Sequence, residues 1–221
     1  MKPLLLLAWL LLASTLDAAL RRFPEHNFAI EVPAEWTEIA APVPPVVVAV
    51  QTPDQSRAVL VMAVEVPEKE RHVFAADFRA GVTAGLKDKG CRVEPEQPLT
   101  IGDLPFITIP ALRPDGMAFT SYIAGAGNRG YLVQVMAEPG LVNSDPELRG
   151  IVQSFRLLSP AKPLPTHAPP VRQPSRFAFF IGRIWGITLI ASVLGLVIWF
   201  IYRTINKRRD RRAALHQNAE P

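Results

Sequence analysis

Residues 184–202 read IWGITLIASVLGLVIWFIY, nineteen consecutive positions without a charge. A helix over them would be about 28 Å long, close to the roughly 30 Å hydrocarbon core of a bilayer. Trp185, Trp199 and Tyr202 stand at the two ends, where aromatic side chains favour the interface, and Arg176 and Arg183 can snorkel to headgroups. Six basic residues follow within residues 203–221, against two acidic ones. That asymmetry predicts a transmembrane helix over residues 177–202, a single-pass protein of the cell membrane with the lipid bilayer as its partner, a domain outside and a cytoplasmic tail over residues 203–221. Gly182 and Gly186 have the spacing of a helix-dimerisation pair, which would allow a homodimer.

The amino terminus fits the same topology. Lys2, an apolar run over residues 4–13 and small residues after it have the layout of a secretory signal peptide over residues 1–19, with cleavage after Ala18 or Ala19. Residues 159–175 hold six prolines, a composition that favours an extended, stiff spacer. Between leader and spacer, residues 21–158 carry 13 basic and 17 acidic residues, so the basic excess behind the formal charge of +4 lies outside them, in the tail and in Lys162, Arg172, Arg176 and Arg183 before it. A net acidic domain does not suggest nucleic-acid binding. Cys91 is the one cysteine, which excludes an internal disulfide or a cysteine metal cluster and is read as a small buried apolar residue.

Residues 21–158 are long enough for one core. Residues 28–33 alternate and close at Pro33, with Trp36 expected to fold back over the sheet edge. Residues 46–50 and 58–66 are apolar runs; the second lacks alternation and reads as a central strand buried on both faces. From residue 71 to 90 the period changes to that of a helix, with Phe74, Phe78, Val82 and Leu86 on one stripe and Gly90 as a stop. Short strands follow at residues 92–94, 99–101 and 106–109. Residues 117–124 and 131–137 then form a hairpin, whose glycines at residues 125–130 would permit positive backbone angles. A second helix is expected to begin at Ser144 as cap, with Glu147 closing a capping box, Pro146 in the first turn, and Leu148, Ile151, Val152 and Phe155 inward. The fold class is α/β in the α+β sense: an antiparallel sheet of about six or seven strands flanked by two helices, plus the transmembrane helix.

The order Phe28-x-Ile30-x-x-Pro33-x-x-Trp36, a helix bearing Phe74 and Phe78, a β-meander and the closing ELRGIVQSFRL of residues 147–157 resembles the PsbP-like superfamily. That group includes a photosystem extrinsic subunit, a nuclear-import factor and small exported bacterial proteins. The resemblance covers about residues 23–158 and implies an α/β/α sandwich that binds partners or serves assembly without catalysing a reaction. The lipoprotein cysteine of the bacterial members is absent here, and no ligand or catalytic residue carries over.

No catalytic, cofactor-binding or metal-binding residue is singled out, and no cofactor is expected. His26, His72, His167 and His216 have no metal-ligand spacing to one another or to Cys91. Ser121 and Ser144 lack a nucleophile-elbow context. The glycine-rich loop lacks the pattern of a phosphate cradle. The expectation is therefore a membrane-anchored, extracytoplasmic domain for protein interaction or envelope assembly, with a protein partner outside the cytoplasm and no enzymatic role. A small-ligand receptor or a hydrolase with an unrecognised site is the alternative.

Overall fold

The computed structural model describes residues 18–39, 45–165, 179 and 181. Eleven strands, three α-helices and two 3-10 helices lie between Ala18 and Leu157. The strands form two sheets, and all their pairings are antiparallel.

The smaller sheet has the order β1 (Ala18–Phe23), β2 (Phe28–Pro33) and β11 (Arg156–Leu157). A 3-10 turn at Pro24–His26 joins the first two, closed by Asn27 in the left-handed region at φ 55°. The larger sheet runs β3 (Thr37–Glu38), β4 (Val46–Gln51), β5 (Ala58–Glu65), β10 (Arg129–Ala137), β9 (Ala118–Ala126), β8 (Leu104–Leu112) and β6 (Arg92–Val93). A further strand, β7 (Gln97–Ile101), also pairs with β8. The helices are α1 (Phe74–Asp88), α2 (Leu141–Ser144) and α3 (Pro146–Gln153).

Both faces of the large sheet are covered, which explains the unbroken apolar run of β5. Side chains alternate across a strand. Val59, Val61 and Ala63 enter one core, while Leu60 and Met62 enter the other. The first core receives Phe28, Ile30 and Val32 of β2, Trp36, and Leu148, Ile151 and Val152 of α3, followed by Phe155. The second receives the α1 stripe of Phe74, Phe78, Val82 and Leu86, each no more than 1% exposed, as the helical period requires. Full burial of side chains of this size contributes about 1.5–3 kcal/mol each.

Several expectations change. The layer opposite α1 is built from α3 and the three-stranded sheet together, because β2 leaves the large sheet and pairs with β1 and β11. Asp145, one residue after Ser144, caps α3: its carboxylate accepts from the amides of Glu147 at 2.8 Å and Leu148 at 3.1 Å, with Pro146 opening the helix. Ser144 instead ends α2, its hydroxyl donating to the Gly140 carbonyl. Of the glycines at the β9–β10 hairpin, Gly127 takes a positive φ of 62°. Gly125 and Gly130 serve close approach: a Cβ on Gly125 would come within 2.8 Å of Leu164 Cδ1, and one on Gly130 would overlap the ring of Phe74.

Leu164 belongs to the stretch read as a spacer, yet it is buried in the second core. The route to it is pinned at both ends. Asn27 accepts from the Ser159 amide at 2.8 Å and donates to the Ser159 carbonyl at 3.2 Å, while Gly127 N–H donates to Lys162 and Leu164 N–H to Gly125, each at 2.8 Å.

The membrane expectations are corrected. Among the described residues no helix is long and apolar enough to cross a membrane. Of residues 177–202, Phe179 and Ile181 are described; both are helical, and Ile181 packs against the second core. The rest of that range, with Gly182 and Gly186, lies outside the described residues, as do residues 1–17 and 203–221. Apolarity measures a tendency to leave water, and protein surface satisfies it as hydrocarbon does. The fold class therefore stands as a mixed α/β fold with antiparallel sheets and a few short helices. The transmembrane helix, the single-pass topology, the bilayer partner, the homodimer through Gly182 and Gly186 and the cell-membrane location drop out of the reading. Ala18 and Ala19, assigned to the leader, pair with Pro33 and Val32 in β1.

The Gly130 contact yields a test. Gly130→Ala should destabilise the chain by about 1–3 kcal/mol through overpacking against Phe74. Phe74→Leu should cost less in the Gly130→Ala background than in the wild type, because the ring is the obstruction. Urea unfolding of the four proteins measures both effects, and strictly additive energies would exclude the contact.

Candidate functional site

Two constellations stand out, and they differ in kind. The first gathers Trp36, Arg57, Asp145 and Glu147 where β5 meets the start of α3. The Arg57 guanidinium bonds Asp145 Oδ2 at 2.9 Å and also pairs with Glu147 Oε2. It lies 5.8 Å from the centre of the Trp36 ring, within cation–π range. The Trp36 indole N–H donates to Glu147 Oε1 at 3.0 Å. The side chains of Arg57, Asp145 and Glu147 are only 25%, 12% and 14% exposed, so these groups satisfy one another rather than await a ligand. Burial opposes the charge on Asp145, but the Leu148 and Glu147 amides and Arg57 outweigh it and hold the carboxyl below its usual range. The cluster is a clamp that fixes α3 and seats Trp36 in the first core.

The second is a cleft of about 370 Å³ where the outer strand of the small sheet meets the β3–β4 edge of the large one. Arg21, Arg22 and Phe23 of β1 form one wall; Glu38, Ile39 and residues 47–49 form the other. Phe23 is held by stacking on Phe28, with ring centres 4.8 Å apart. A β-bulge shifts the β4 register between Val46 and Val48, and the successive residues Val47 and Val48 both contact the first core. Arg21 Nη1 reaches Glu38 Oε1 at 2.7 Å across the rim. Arg22 is exposed and makes no ion pair among the described residues. The cleft therefore combines apolar walls with an excess of one positive charge. That permits recognition of an apolar ligand bearing an anionic group, and its volume sits at the low end for ligand sites.

The residues weighed from sequence are scattered. His26 has a buried Nδ1 without a partner, while its carbonyl accepts from Tyr131 Oη at 3.1 Å; burial pushes the Tyr131 hydroxyl up to about 12. His72 is exposed at the approach to α1. His167 and His216 lie outside the described residues. Ser121 is fully buried and accepts from Gln134 Nε2 at 2.9 Å. Cys91 is buried in the second core; burial raises its thiol, and nearby Arg113 opposes that rise. Among the described residues no group of three or more His, Cys, Asp or Glu is placed to hold a metal ion. Neither the Arg57 cluster nor the cleft was singled out from sequence, since both join residues far apart in the chain.

Comparison with known proteins agrees with the fold in part. The chain is similar to the solution structure of cyanobacterial PsbP from Synechocystis, with a TM-score of 0.50 at 10% identity over 66% of this chain and 95% of that one. The Saccharomyces cerevisiae Ran-binding protein Mog1p gives 0.41 at 7% identity over 65% of this chain and 97% of its own. A Pseudomonas aeruginosa protein of unknown function gives 0.38 at 12% identity, over 62% and 94% of the two chains. No protein-family model and no curated protein matches the sequence. The likeness is thus a partial structural match to the PsbP-like fold, and at 10% identity it speaks for fold alone.

The clamp has a pH signature. A carboxyl lowered in the folded state contributes stability that is present above its unfolded value, about 3.9, and is lost as pH falls through the folded value. Asn caps a helix as well as Asp does, so Asp145→Asn removes the charge and keeps the cap. The variant should lose about 1–2 kcal/mol at neutral pH. It should also show a shallower fall in stability below about pH 4. Identical acid unfolding curves for the two proteins would exclude the clamp.

Proposed function

We propose that this chain carries a PsbP-like domain that acts by recognition rather than by catalysis, with the cleft between β1 and the β3–β4 edge as its binding site. The cleft itself carries the reading. It joins apolar walls from Phe23, Ile39 and Val47 to a rim where Arg21 is matched by Glu38 and Arg22 is not. The other charged constellation is internally satisfied. The partial likeness to Synechocystis PsbP supports the fold family and supplies no ligand. Because the walls belong to two different sheets, a ligand seated there would add contacts across their junction and stabilise the folded state by mass action.

A ligand-observed NMR survey of the full chain against mixed short peptides and small organic anions tests the reading. Val47 is half-buried on the cleft wall, whereas Leu99 is 38% exposed on the far strand β7. Binders should lose affinity with Val47→Arg and keep it with Leu99→Arg, both variants retaining the wild-type melting transition. If every binder survives Val47→Arg, the cleft is not the site.

A further inference from the structure

The stretch read as a spacer enters the fold as a strand. On the side away from β10, β9 is paired by β8 only as far as Ile123, opposite Ile107. Carrying that register two residues further would set Pro105 opposite Gly125, and a proline has no amide to give the Gly125 carbonyl. Residues 162–164 take the place instead. Leu164 N–H donates to Gly125 and Gly127 N–H donates to Lys162, each at 2.8 Å, and Pro163 bridges Ala126 in the antiparallel sense. Leu164 is 8% exposed, with its side chain over Gly125, where a Cβ would come within 2.8 Å of Cδ1. Ala161 packs against the first core and Leu164 lies in the second, so the strap crosses from one face of the sheet to the other. Its remaining residues, Ser159, Pro160, Lys162, Pro163 and Pro165, are exposed.

These are the parts of peptide recognition by strand addition. Backbone pairing at a strand edge gives affinity, and a side-chain seat gives selectivity. Pro163 and Pro165 flank Leu164 and favour the extended conformation before docking, which lowers the entropy lost on docking. Past the tie of Ser159 to Asn27, one buried side chain and two backbone bonds hold the strap down. A segment with so few buried apolar contacts opens at a lower free energy than the sheet beneath it. We propose that the groove along residues 125–127 is a second recognition site, that it takes an extended, proline-flanked leucine segment of a partner protein, and that the strap is its tethered occupant and holds it closed. Lifting of residues 161–165, with Ser159 still tied to Asn27, frees the groove and leaves the sheet folded. The groove shares no residue with the cleft of Arg21, Phe23 and Val47, so the two sites stand or fall separately.

The test uses the full chain and a fluorescent peptide of residues 158–166, LSPAKPLPT, with anisotropy as the readout. Leu164→Ser empties the seat. The peptide should bind that variant about tenfold more tightly than the wild type, whose own strap competes at an effective concentration in the millimolar range. The same peptide with serine for leucine, or methylated on the leucine nitrogen, should not bind. The first lacks the side chain for the seat, and the second lacks the donor to Gly125. Gly125→Ala added to Leu164→Ser should abolish peptide binding, because the new Cβ takes the space of the leucine. Native-state hydrogen exchange of the wild type gives a measure that does not depend on how a variant folds. The Gly127 and Leu164 amides should exchange about tenfold faster than those of Val133 and Val135, at a rate that low urea leaves unchanged. Equal peptide affinity for the wild type and a folded Leu164→Ser variant overturns the tethered occupant, and no binding to that variant overturns the site. Exchange of the strap amides in step with the sheet overturns the release. A wild-type dimer in sedimentation that Leu164→Ser dissociates would give the groove to the strap of a second copy and overturn the partner assigned to it.

Discussion

Phe155 holds the molecule's layers together. Its ring stacks on Phe28 of the small sheet at 5.4 Å and meets Tyr131 and Phe106 of the large sheet edge-on, at 5.4 Å and 5.6 Å. Phe28 and Tyr131 also meet edge-on at 6.1 Å, so four rings from four parts of the chain close one contact set. Ring pairs of this geometry add about 0.5–1.5 kcal/mol beyond the area they bury. Removing Phe155 would leave a three-stranded sheet and a helix of eight residues facing a void. Neither element is large enough to hold its position alone.

The position of the cleft follows from that junction. Phe23 stacks on Phe28, which stacks on Phe155, so the β1 wall is set by the same rings that join the sheets. The Arg57 clamp works at another point of the same layer, fixing the start of α3 and the Trp36 ring. The two constellations thus divide the charged groups of this side into those that close on themselves and those left facing water. Arg21 with Glu38 lies between the two cases: Glu38 is 73% exposed, so the pair orients the rim more than it stabilises the fold.

Much of the fold can be read locally. The stripe of Phe74, Phe78, Val82 and Leu86 needs only the 3.6 period, and the apolar run of β5 needs only the fact that both faces of its sheet are covered. What escaped the sequence depends on distant partners. Gly130 owes its lack of a Cβ to Phe74, and Gly125 to Leu164, and neither pairing leaves a local trace. β1 escaped because AALRRF is half-exposed and its first residues suit a leader as well as a strand. The cap moved from Ser144 to Asp145 because both fit the local pattern and only the backbone conformation separates them. Nothing of the cleft was legible, since its walls are the edges of two sheets and a bulge that periodicity does not register. Nineteen uncharged residues stated apolarity without stating what would cover it.

The strap from Ser159 to Leu164 has a mechanical meaning. A chain that left the domain at β11 would load a two-residue strand, and tension would peel it away one bond at a time. Here the chain is first tied to Asn27, then laid along β9 with Leu164 locked over Gly125. A pull applied just beyond residue 165 must drag the Leu164 side chain out of its seat and shear the Leu164 and Lys162 backbone bonds together. The load enters at the β9–β10 hairpin, in the middle of the large sheet, and leaves the small sheet and its cleft slack.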